Sequence, residues 1–355
     1  MKKILNQQDM RELNLNSILR LIRHCGPVTR RQIEAALDLS WGAVSGATAT
    51  LLQGGFIKEI KAPEASGAGR TPVALIANPN DHFLLGLDVN RSGLRGVVTD
   101  MTGQVLHRVK TEPTAATRDE WIAEIENLTQ RLLDLVTGHA VLAIGIAMQG
   151  AVDSKNGISA NFPAVGWQDI PLSALLREKF GFPVFVEHDP DCILYAASAD
   201  RELRDAILLR VDKGTGMAVM LDGKIFQRFG AFELGFTTQN GRRLDDSITT
   251  RGIAQAAGSP FSAVACAAAQ GNEGAVALFD RLATDLGTAI CNVSALFHVK
   301  EFLLCGDMMS HRHLFWERLG AALSPHGIQA DVTDVEQAAV GAALLAAERH
   351  IIRFD

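Results

Sequence analysis

The sequence contains few cysteines, and none of them lies close to another along the chain. There is no Cys-x-x-Cys pair, and the wide separation excludes a framework of closely spaced disulfides. The sequence also lacks any run of about 18 apolar residues, and its first residues have no apolar core of signal-peptide length. These absences predict a cytoplasmic protein with no membrane partner and with buried, reduced thiols. The five cysteines are Cys25, Cys192, Cys266, Cys291 and Cys305.

Charge is unevenly distributed between the N-terminal part of the chain and the remainder. The whole chain has a formal net charge of −6, whereas residues 1–72 hold ten Lys or Arg against six Asp or Glu and are at +4. The remainder is consequently at −10. A basic head on an acidic body indicates an electrostatic footprint on nucleic-acid phosphate. With 47% hydrophobic and 21% charged residues, the 355 residues are enough for two or three globular domains.

Residues 29–57 have the pattern of a helix-turn-helix. Thr29 can cap a short helix, Asp38-Leu39 provides the turn, and Ser40 can cap a second helix. A preceding helix over residues 17–25 supplies the third wall of a small core. The apolar positions of the three helices are Ile18, Leu21 and Ile22, then Ile33 and Leu37, then Val44, Ala47 and Leu51.

A glycine-rich segment flanked by two alternating stretches follows these helices. Gly54-Gly55 ends the second motif helix, and residues 56–60 and 72–76 alternate as strands around the segment 65–70. This is the order of a winged helix-turn-helix, so residues 1–80 are predicted to form a DNA-binding domain. A small helical cap on an enzyme is the alternative, and the wing favours the DNA-binding interpretation.

The second motif helix is expected to read DNA, although its exposed face is unusual. Residues such as Gly42 and Gly46 offer no long cation for a guanine edge. Phosphate contacts from Arg30 and Arg31, and a minor-groove contact from Arg70 in the wing, are therefore expected to carry much of the affinity. The predicted DNA-binding residues are Arg30, Arg31, Ser40, Trp41, Ser45, Lys58 and Arg70.

From residue 82 onward, the pattern changes to strands that alternate with helices. After two strand-turn-strand segments, a long amphipathic helix is predicted over residues 118–137 and a buried strand over residues 141–148. The alternation continues to about residue 226. This pattern predicts α/β layers, and the repeated strand-turn-strand segments predict two related lobes that close over a ligand.

Several short motifs occur along the body in one order. They are Asp88, Gly150, residues 161–167, Glu187-His188-Asp189, Gly214-Thr215-Gly216, Glu233-Leu234-Gly235 and residues 304–307. Together they resemble the ROK family of repressors and sugar kinases over nearly the whole chain. The resemblance implies an α/β protein with an N-terminal winged helix-turn-helix and a two-lobed, actin-like (ribonuclease H-like) sugar-kinase fold over residues 81–355. It also implies that the C-terminal helix returns to the first lobe, that a sugar lies between the lobes, and that the chain forms a homodimer or homotetramer.

The resemblance further implies which kinase features the chain keeps and which it has lost. In the family's kinases, the aspartate at the position of Asp189 is the general base, and it is kept here. Phosphoryl transfer also needs glycine turns whose N–H groups approach the phosphates, with Mg²⁺ as a bridge. The first turn reads Asp88-Val89-Asn90-Arg91-Ser92, without the usual glycines and with Arg91 expected in crowded space. The second turn keeps only Gly214-Thr215-Gly216. The third turn has Cys305-Gly306 in place of two glycines. These departures predict that ATP and Mg²⁺ are not cofactors and that no residue is catalytic.

The family's sugar-binding positions are better kept than its nucleotide site. By resemblance, the predicted sugar-binding residues are Asn161, His188, Asp189, Glu233 and Asp245. Carboxylates and amides suit hydroxyl-rich ligands, although Asn161 and Glu233 could alternatively be loop-capping residues. The family's structural zinc site is absent, since its histidine position is Phe236 and the segment 237–245 has no cysteine. No metal is therefore expected, and Phe236 is expected to anchor that segment by packing.

These features together predict a transcriptional regulator, a repressor that binds operator DNA and responds to a sugar or sugar phosphate. The alternative is an ATP-dependent sugar kinase with an added DNA-binding head. A further alternative is a body that docks a transport or signalling protein instead of a small molecule. Under the first interpretation, the partners are operator DNA, a small-molecule sugar and further copies of the chain.

Overall fold

The computed structural model describes residues 7–62, 73–112, 114–162, 166–226, 230–350 and 352. The chain divides into two compact units. Unit 1 comprises Met1–Ile146, Pro171–Val186 and Ala342–Asp355, and unit 2 comprises Ala147–Ile170 and Glu187–Gly341. The helix-turn-helix head thus belongs to the same unit as the first part of the body, and the domain boundary between residues 80 and 81 stays a prediction.

The head consists of three helices and a two-stranded hairpin. Its elements are α1 (Gln7–Cys25), α2 (Arg30–Leu37), α3 (Trp41–Gln53), β1 (Ile57–Lys61) and β2 (Val73–Ala77). Thr29 caps α2 in a capping box with Gln32, and Asp38, the residue after α2, adopts the left-handed conformation (φ 51°). The Ser40 hydroxyl caps α3 by accepting a hydrogen bond from the Ala43 N–H at 3.3 Å. The predicted caps and turn are therefore confirmed.

The core of the head follows the predicted apolar stripes. Ile18 of α1, Ile33 of α2 and Val44 of α3 are fully buried in one cluster. β1 pairs with β2 in antiparallel register from Ile57↔Ala77 to Lys61↔Val73. The segment 63–72 between these strands, which includes the predicted wing loop and Arg70, lies outside the described residues.

Helix α1 begins ten residues before its predicted start at residue 17. The prediction missed this extension because contacts with residues distant in the sequence, rather than local sequence, stabilise it. Leu15 is buried in the head core, and the Asn16 side chain forms hydrogen bonds with the backbone of Ile352, far away in the sequence. These contacts stabilise a helical turn that local propensity alone does not indicate.

The remainder of the chain alternates strands and helices, as predicted. The strands are β3 (His82–Asn90), β4 (Gly93–Asp100), β5 (Val105–Thr111), β6 (Ala140–Met148), β7 (Ala151–Asp153), β8 (Ile158–Phe162), β9 (Trp167–Ile170), β10 (Val184–His188), β11 (Ala206–Val211), β12 (Thr215–Leu221), β13 (Lys224–Ile225), β14 (Thr238–Gln239), β15 (Arg242–Arg243), β16 (Glu301–Cys305) and β17 (Gln329–Val332). The helices are α4 (Arg118–Asp134), α5 (Leu172–Phe180), α6 (Asp189–Arg201), α7 (Asp245–Ile248), α8 (Thr250–Ala257), α9 (Phe261–Ala269), α10 (Glu273–Phe297), α11 (Trp316–Leu323) and α12 (Gln337–Arg349).

Each unit contains a five-stranded sheet with the same strand order. The order is β10-β6-β3-β4-β5 in unit 1 and β13-β12-β11-β16-β17 in unit 2. The strand that comes first along the chain, β3 or β11, is central in its sheet. The next two strands along the chain form antiparallel hairpins on one side of it, and the two later strands lie on the other side. This repeated, ribonuclease H-like topology confirms the prediction of two related lobes.

Helix α12 is packed closely against backbone at two glycine contacts. In unit 1, a Cβ added to Gly145 would lie 1.9 Å from the carbonyl oxygen of Ala342. In unit 2, a Cβ added to Gly341 would lie 1.8 Å from the carbonyl oxygen of Cys192 in α6. Contacts this short exclude a side chain, so packing requires both glycines.

The prediction of buried cysteines is confirmed for two of the five and wrong for two, and the fifth, Cys291, is half-buried. Cys192 and Cys305 are buried, whereas Cys25 and Cys266 are exposed, because Cys25 ends α1 and Cys266 lies outside the buried stripe of α9. All five are free thiols. Among the described residues, no helix is both long and apolar enough to cross a membrane.

Gly145→Ala is expected to destabilise unit 1 by about 1–3 kcal/mol, because the added methyl group meets backbone that cannot rotate away. Urea unfolding of the full chain measures the effect. Gly320→Ala in α11 is the matched control, since a Cβ there meets nothing within 4 Å. This control should be neutral or stabilising by up to about 1 kcal/mol. Equal unfolding midpoints for the two variants would contradict the close packing at Gly145.

Candidate functional site

The outer face of α3 is accessible and nearly free of large side chains. Trp41, the first residue of α3, is the exception, and it is 51% exposed. A Cβ added to Gly42 or Gly46 would meet nothing within 4 Å, so internal packing does not require these glycines. The other exposed residues of this face are Ser45, Ala49 and Gln53. Such a smooth face suits the close approach of a helix to a major groove.

The cations predicted to contact DNA differ in their environment. Arg31 is exposed at the start of α2. Arg30 is engaged internally, because its Nε donates to Thr48 Oγ1 at 3.0 Å and a terminal nitrogen donates to Glu59 Oε1 at 2.8 Å. Arg30 thereby ties α2 to α3 and β1, and its predicted phosphate contact would require release of Glu59. Lys58 is half-buried on β1.

Asp189 and Arg210 form a buried ion pair in unit 2. Asp189 begins α6, and one of its carboxylate oxygens accepts from a terminal nitrogen of Arg210 on β11. Arg210 Nε also donates to Asp212 at 2.6 Å, and His188 Nε2 lies 3.7 Å from the other oxygen of Asp189. Burial lowers the pKa of Arg210, but the two carboxylates outweigh burial and raise it. A permanently charged guanidinium therefore holds the residue predicted at the position of a kinase base.

Asp212 also accepts a hydrogen bond from a backbone N–H that follows β16. Its Oδ1 accepts from the Asp307 N–H at 2.5 Å. Gly306 (φ 103°) allows this approach, since a Cβ there would lie 2.4 Å from the same oxygen. Burial and the nearby charge of Asp212 raise the pKa of Asp307. An internal carboxylate thus occupies the turn after Cys305-Gly306, the third nucleotide turn that the family resemblance implies.

The carboxylate of Asp245 accepts a hydrogen bond from the second glycine turn, Gly214-Thr215-Gly216. The hydroxyl of Thr215, in the centre of that turn, donates to Asp245 Oδ1 at 2.7 Å, and Arg251 lies 3.5 Å from Asp245 Oδ2. Asp245 is buried at the start of α7, where Gly235 leaves room for it, because a Cβ at 235 would lie 2.0 Å from Oδ1. The sequence predicts that Asp245 reaches a sugar, whereas the structure places its oxygens against Thr215 and Arg251.

The first turn, between β3 and β4 in unit 1, is satisfied internally as well. Asp88 is buried, and its Oδ2 accepts from Asn90 Nδ2 and from Arg95, both at 2.9 Å. Asn90 Oδ1 accepts from the backbone N–H of Ser92 at 2.9 Å and from its hydroxyl at 2.6 Å. The expectation that Arg91 occupies crowded space is wrong. Arg91 is exposed, because it lies in the two-residue loop that joins the strands.

Asn161 and Glu233, the other two predicted sugar residues, are exposed in unit 2. Asn161 lies within β8, paired with strands on both sides, so it does not cap a loop. Glu233 precedes the 3₁₀ segment Leu234–Phe236 without a side-chain capping hydrogen bond. The loop-capping alternative therefore applies to neither residue. Both leave polar atoms accessible to a ligand, whereas His188, Asp189 and Asp245 are buried.

A hairpin holds the segment that follows Phe236. β14 and β15 pair around Asn240-Gly241, whose φ angles of 51° and 75° are typical of a type I′ turn. Phe236 is 54% exposed, so it is not a buried anchor, and it contacts this segment through the Arg243 guanidinium, 4.1 Å from its ring centre. Within the described ranges, no three or more His, Cys, Asp or Glu side chains are grouped to hold a metal ion. Phe236 and the cysteine-free segment 237–245, which stand at the position of the family's zinc site, do not fit that ion.

The sequence profile of the ROK family matches residues 84–348. The chain belongs to the ROK family. It is 26% identical over 244 residues to the xylose repressor of Bacillus spizizenii, a match that covers 66% of this chain and 62% of that protein. It is 27% identical over 228 residues to the DNA-binding transcriptional dual regulator NagC of Escherichia coli, covering 61% of this chain and 54% of that protein. The match thus spans less than two thirds of the length of these ROK relatives.

Two solved structures confirm the predicted ROK fold class. A ROK family transcriptional regulator, a homolog of the E. coli MLC protein, superimposes with a TM-score of 0.80 at 22% identity over 96% of each chain. A ROK family glucokinase from Streptomyces griseus in complex with glucose and AMPPNP superimposes with a TM-score of 0.60 at 22% identity. The glucokinase match covers 75% of this chain and 99% of that chain. The fold is therefore α/β, with an N-terminal helix-turn-helix and a two-lobed, actin-like body.

Sequence reasoning did not identify Arg210 and Asp212, which connect the site in unit 2. The available signal was a single arginine inside the otherwise apolar strand β11, with an aspartate two residues later. A charge in such a strand is costly unless it is paired, so it indicates a buried partner. The identity of that partner depends on how strands from distant parts of the chain align.

Arg210→Met is expected to lower the free energy of unfolding of unit 2 by about 3–5 kcal/mol, because it removes the guanidinium from two carboxylates. Urea unfolding of the full chain measures this loss. Arg251→Met is the matched control, since Arg251 is 54% exposed and 3.5 Å from Asp245. The control should cost less than about 1 kcal/mol. Similar losses in both variants would show that the Asp189–Arg210–Asp212 network does not stabilise the unit.

Proposed function

We propose that this ROK protein is a sugar-responsive transcriptional repressor. It binds operator DNA through α2 and α3, and it binds a sugar or sugar phosphate at the predicted positions in unit 2. The observation that carries this proposal is the capped, accessible α3, which packs on the head through one face and presents Trp41 and Ser45 on the other. This is the arrangement of a recognition helix that reads a major groove. The relatives named as repressors support the same assignment.

We propose in addition that the chain does not act as an efficient sugar kinase, although ROK kinases share its fold. Three groups that could serve phosphoryl transfer are committed internally: the Asp189 carboxylate to Arg210, the Thr215 hydroxyl to Asp245, and the Asp307 N–H to Asp212. Each would have to break its internal contact before it met a substrate or a phosphate. The internal carboxylates would also repel phosphate. These residues do not fit ATP and Mg²⁺.

We also propose that two copies of the head act together on a palindromic operator, in a homodimer or homotetramer. A recognition face with small side chains offers few base contacts from one head. Two-fold assemblies bind half-sites separated by whole helical turns, which doubles these contacts. Sedimentation velocity of the full chain, with and without the operator, measures the assembly.

Selection of duplexes from a random-sequence pool tests DNA binding by the full chain. A thermal-shift screen of pentoses, hexoses, N-acetylhexosamines and their 6-phosphates identifies sugars that stabilise the folded protein. We expect a dyad-symmetric consensus duplex, and we expect at least one stabilising sugar to weaken its binding. Failure to select any duplex at low salt would refute DNA binding. Duplex affinity that no stabilising sugar changes would refute the sensor role.

Arg31→Ala is expected to weaken binding to selected and random duplexes alike, because an exposed cation at the start of α2 suits a phosphate contact. The slope of log affinity against log salt concentration should fall in magnitude by about one. Arg281→Ala is the control, since Arg281 is exposed on α10 in unit 2. An unchanged slope in the Arg31 variant would show that its side chain does not contact phosphate.

Coupled ATP-turnover assays over the same sugar panel are expected to show no sugar-dependent phosphorylation by the wild-type chain. The reason is that Asp189 and Thr215 are held by internal partners. An active ROK glucokinase under identical conditions serves as the positive control. Turnover that is abolished by Asp189→Asn would overturn the repressor-only assignment in favour of a kinase with an added DNA-binding head.

A further inference from the structure

We infer that the contacts between Glu348 of α12 and helix α1 form the joint through which the body controls the DNA affinity of the head. This inference rests on the proposed function and adds the element that transmits the ligand signal. All residues of the joint belong to unit 1.

Glu348 is surrounded by three cationic or ionisable side chains from one face of α1. Its Oε1 lies 3.1 Å from a terminal nitrogen of Arg23 and 2.9 Å from His24 Nε2, and its Oε2 lies 3.6 Å from Arg20 Nε. The backbone oxygen of Glu348 also accepts a hydrogen bond from the Arg20 guanidinium. Burial raises the pKa of Glu348, but these neighbours outweigh burial and lower it. One side chain near the end of α12 thus connects to two successive turns of α1.

Two further contacts hold α1 to the same part of unit 1. The Asn16 amide donates to the carbonyl oxygen of Ile352 and accepts from its N–H, both at 2.9 Å. Arg23 Nε donates to the carbonyl oxygen of Met101 at 2.7 Å, and the Arg23 side chain is only 5% exposed. Met101 itself belongs to the buried cluster of the head. The joint is therefore continuous with the head core.

The position of α1 determines the position of α3. Ile18 and Ile22 of α1 lie in the same buried cluster as Val44 and Leu51 of α3. Packed interiors transmit displacement, because side chains at this density have little free space to absorb it. A shift of α1 at Glu348 would therefore move the recognition helix or loosen its packing.

The N-terminal part of α12 contacts α6, the helix that begins at the predicted sugar residue Asp189. α12 is one uninterrupted helix whose residues up to Gly341 belong to unit 2 and whose later residues belong to unit 1. Gly341 packs directly on the backbone of Cys192 in α6, and α6 begins at Asp189. A ligand that shifts α6 would thus act on α12 at Gly341, in the second turn of the helix, and the helix would carry this displacement to Glu348.

Glu348→Gln in the full chain tests the joint, because it removes the charge and keeps the size of the side chain. Glu317→Gln is the matched control, since Glu317 is exposed on α11 in unit 2. In hydrogen exchange without DNA or sugar, amides of α1 should exchange about tenfold faster in the Glu348 variant and at the wild-type rate in the control. Arg20→Gln, which alters a side chain that is 41% exposed, should give a smaller effect in the same direction. Its effect should add only in part to that of Glu348→Gln, because Arg20 also donates to the backbone oxygen of Glu348.

The control role is tested with the duplex selected by the wild-type chain and the sugar that gives the largest thermal shift. In the wild type this sugar should change duplex affinity by about 5- to 150-fold. In Glu348→Gln that ratio should fall towards one, while the affinity of the protein alone for the sugar stays unchanged.

Three outcomes would overturn the inference, and they can be distinguished. Unchanged exchange in α1 would show that Glu348 does not hold the head. Faster exchange with an unchanged sugar response would show that Glu348 holds α1 in place but does not transmit the effect of the sugar on DNA affinity. If the wild type selects no duplex, the proposed function fails and the control role fails with it, while the exchange measurement still reports whether Glu348 holds α1.

Discussion

The buried pair of Arg210 and Asp189 is the interaction on which the functional interpretation of unit 2 depends. A guanidinium inside an apolar strand needs compensating charge, and here it is compensated by Asp189 on one side and Asp212 on the other. Asp189 is the residue predicted to match the base of ROK kinases. Protonation of Asp189 by a sugar hydroxyl would weaken this ion pair with Arg210. Under the proposed function, Asp189 is retained for its ion pair with Arg210.

The same principle extends to the turns that the family resemblance predicts to match the phosphate-binding turns of kinases. A hydroxyl at Thr215 and a backbone N–H at Asp307 are donors of the kind that surround phosphate, and each meets a carboxylate of the chain itself. The turn at Asp88 is closed by Asn90 and Arg95 in the same way. A protein that senses a sugar without consuming it needs sugar contacts and a responsive body, but it needs no phosphate donor. Internal partners keep these polar groups satisfied and preserve the fold.

Much of the fold could be predicted because its signals are local. The caps at Thr29 and Ser40, the turn at Asp38 and the alternation of strands with helices follow from neighbouring residues. The errors arose where distant contacts decide the outcome. Helix α1 extends because Asn16 meets Ile352, and the role of Arg210 depends on the alignment of β11 with other elements. In the segment 237–245, the Asn240-Gly241 pair was a local signal for the hairpin that the prediction did not use.

The most direct test of a sugar-responsive repressor is a calorimetric titration of the stabilising sugar into the full chain, with and without the selected duplex. Coupling between two binding sites is reciprocal, so a sugar that weakens DNA binding must itself bind more weakly when DNA is bound. We expect the dissociation constant of the sugar to rise by about 5- to 150-fold when the duplex saturates the head. Equal dissociation constants in the two titrations would contradict the assignment of this chain as a sugar-responsive repressor.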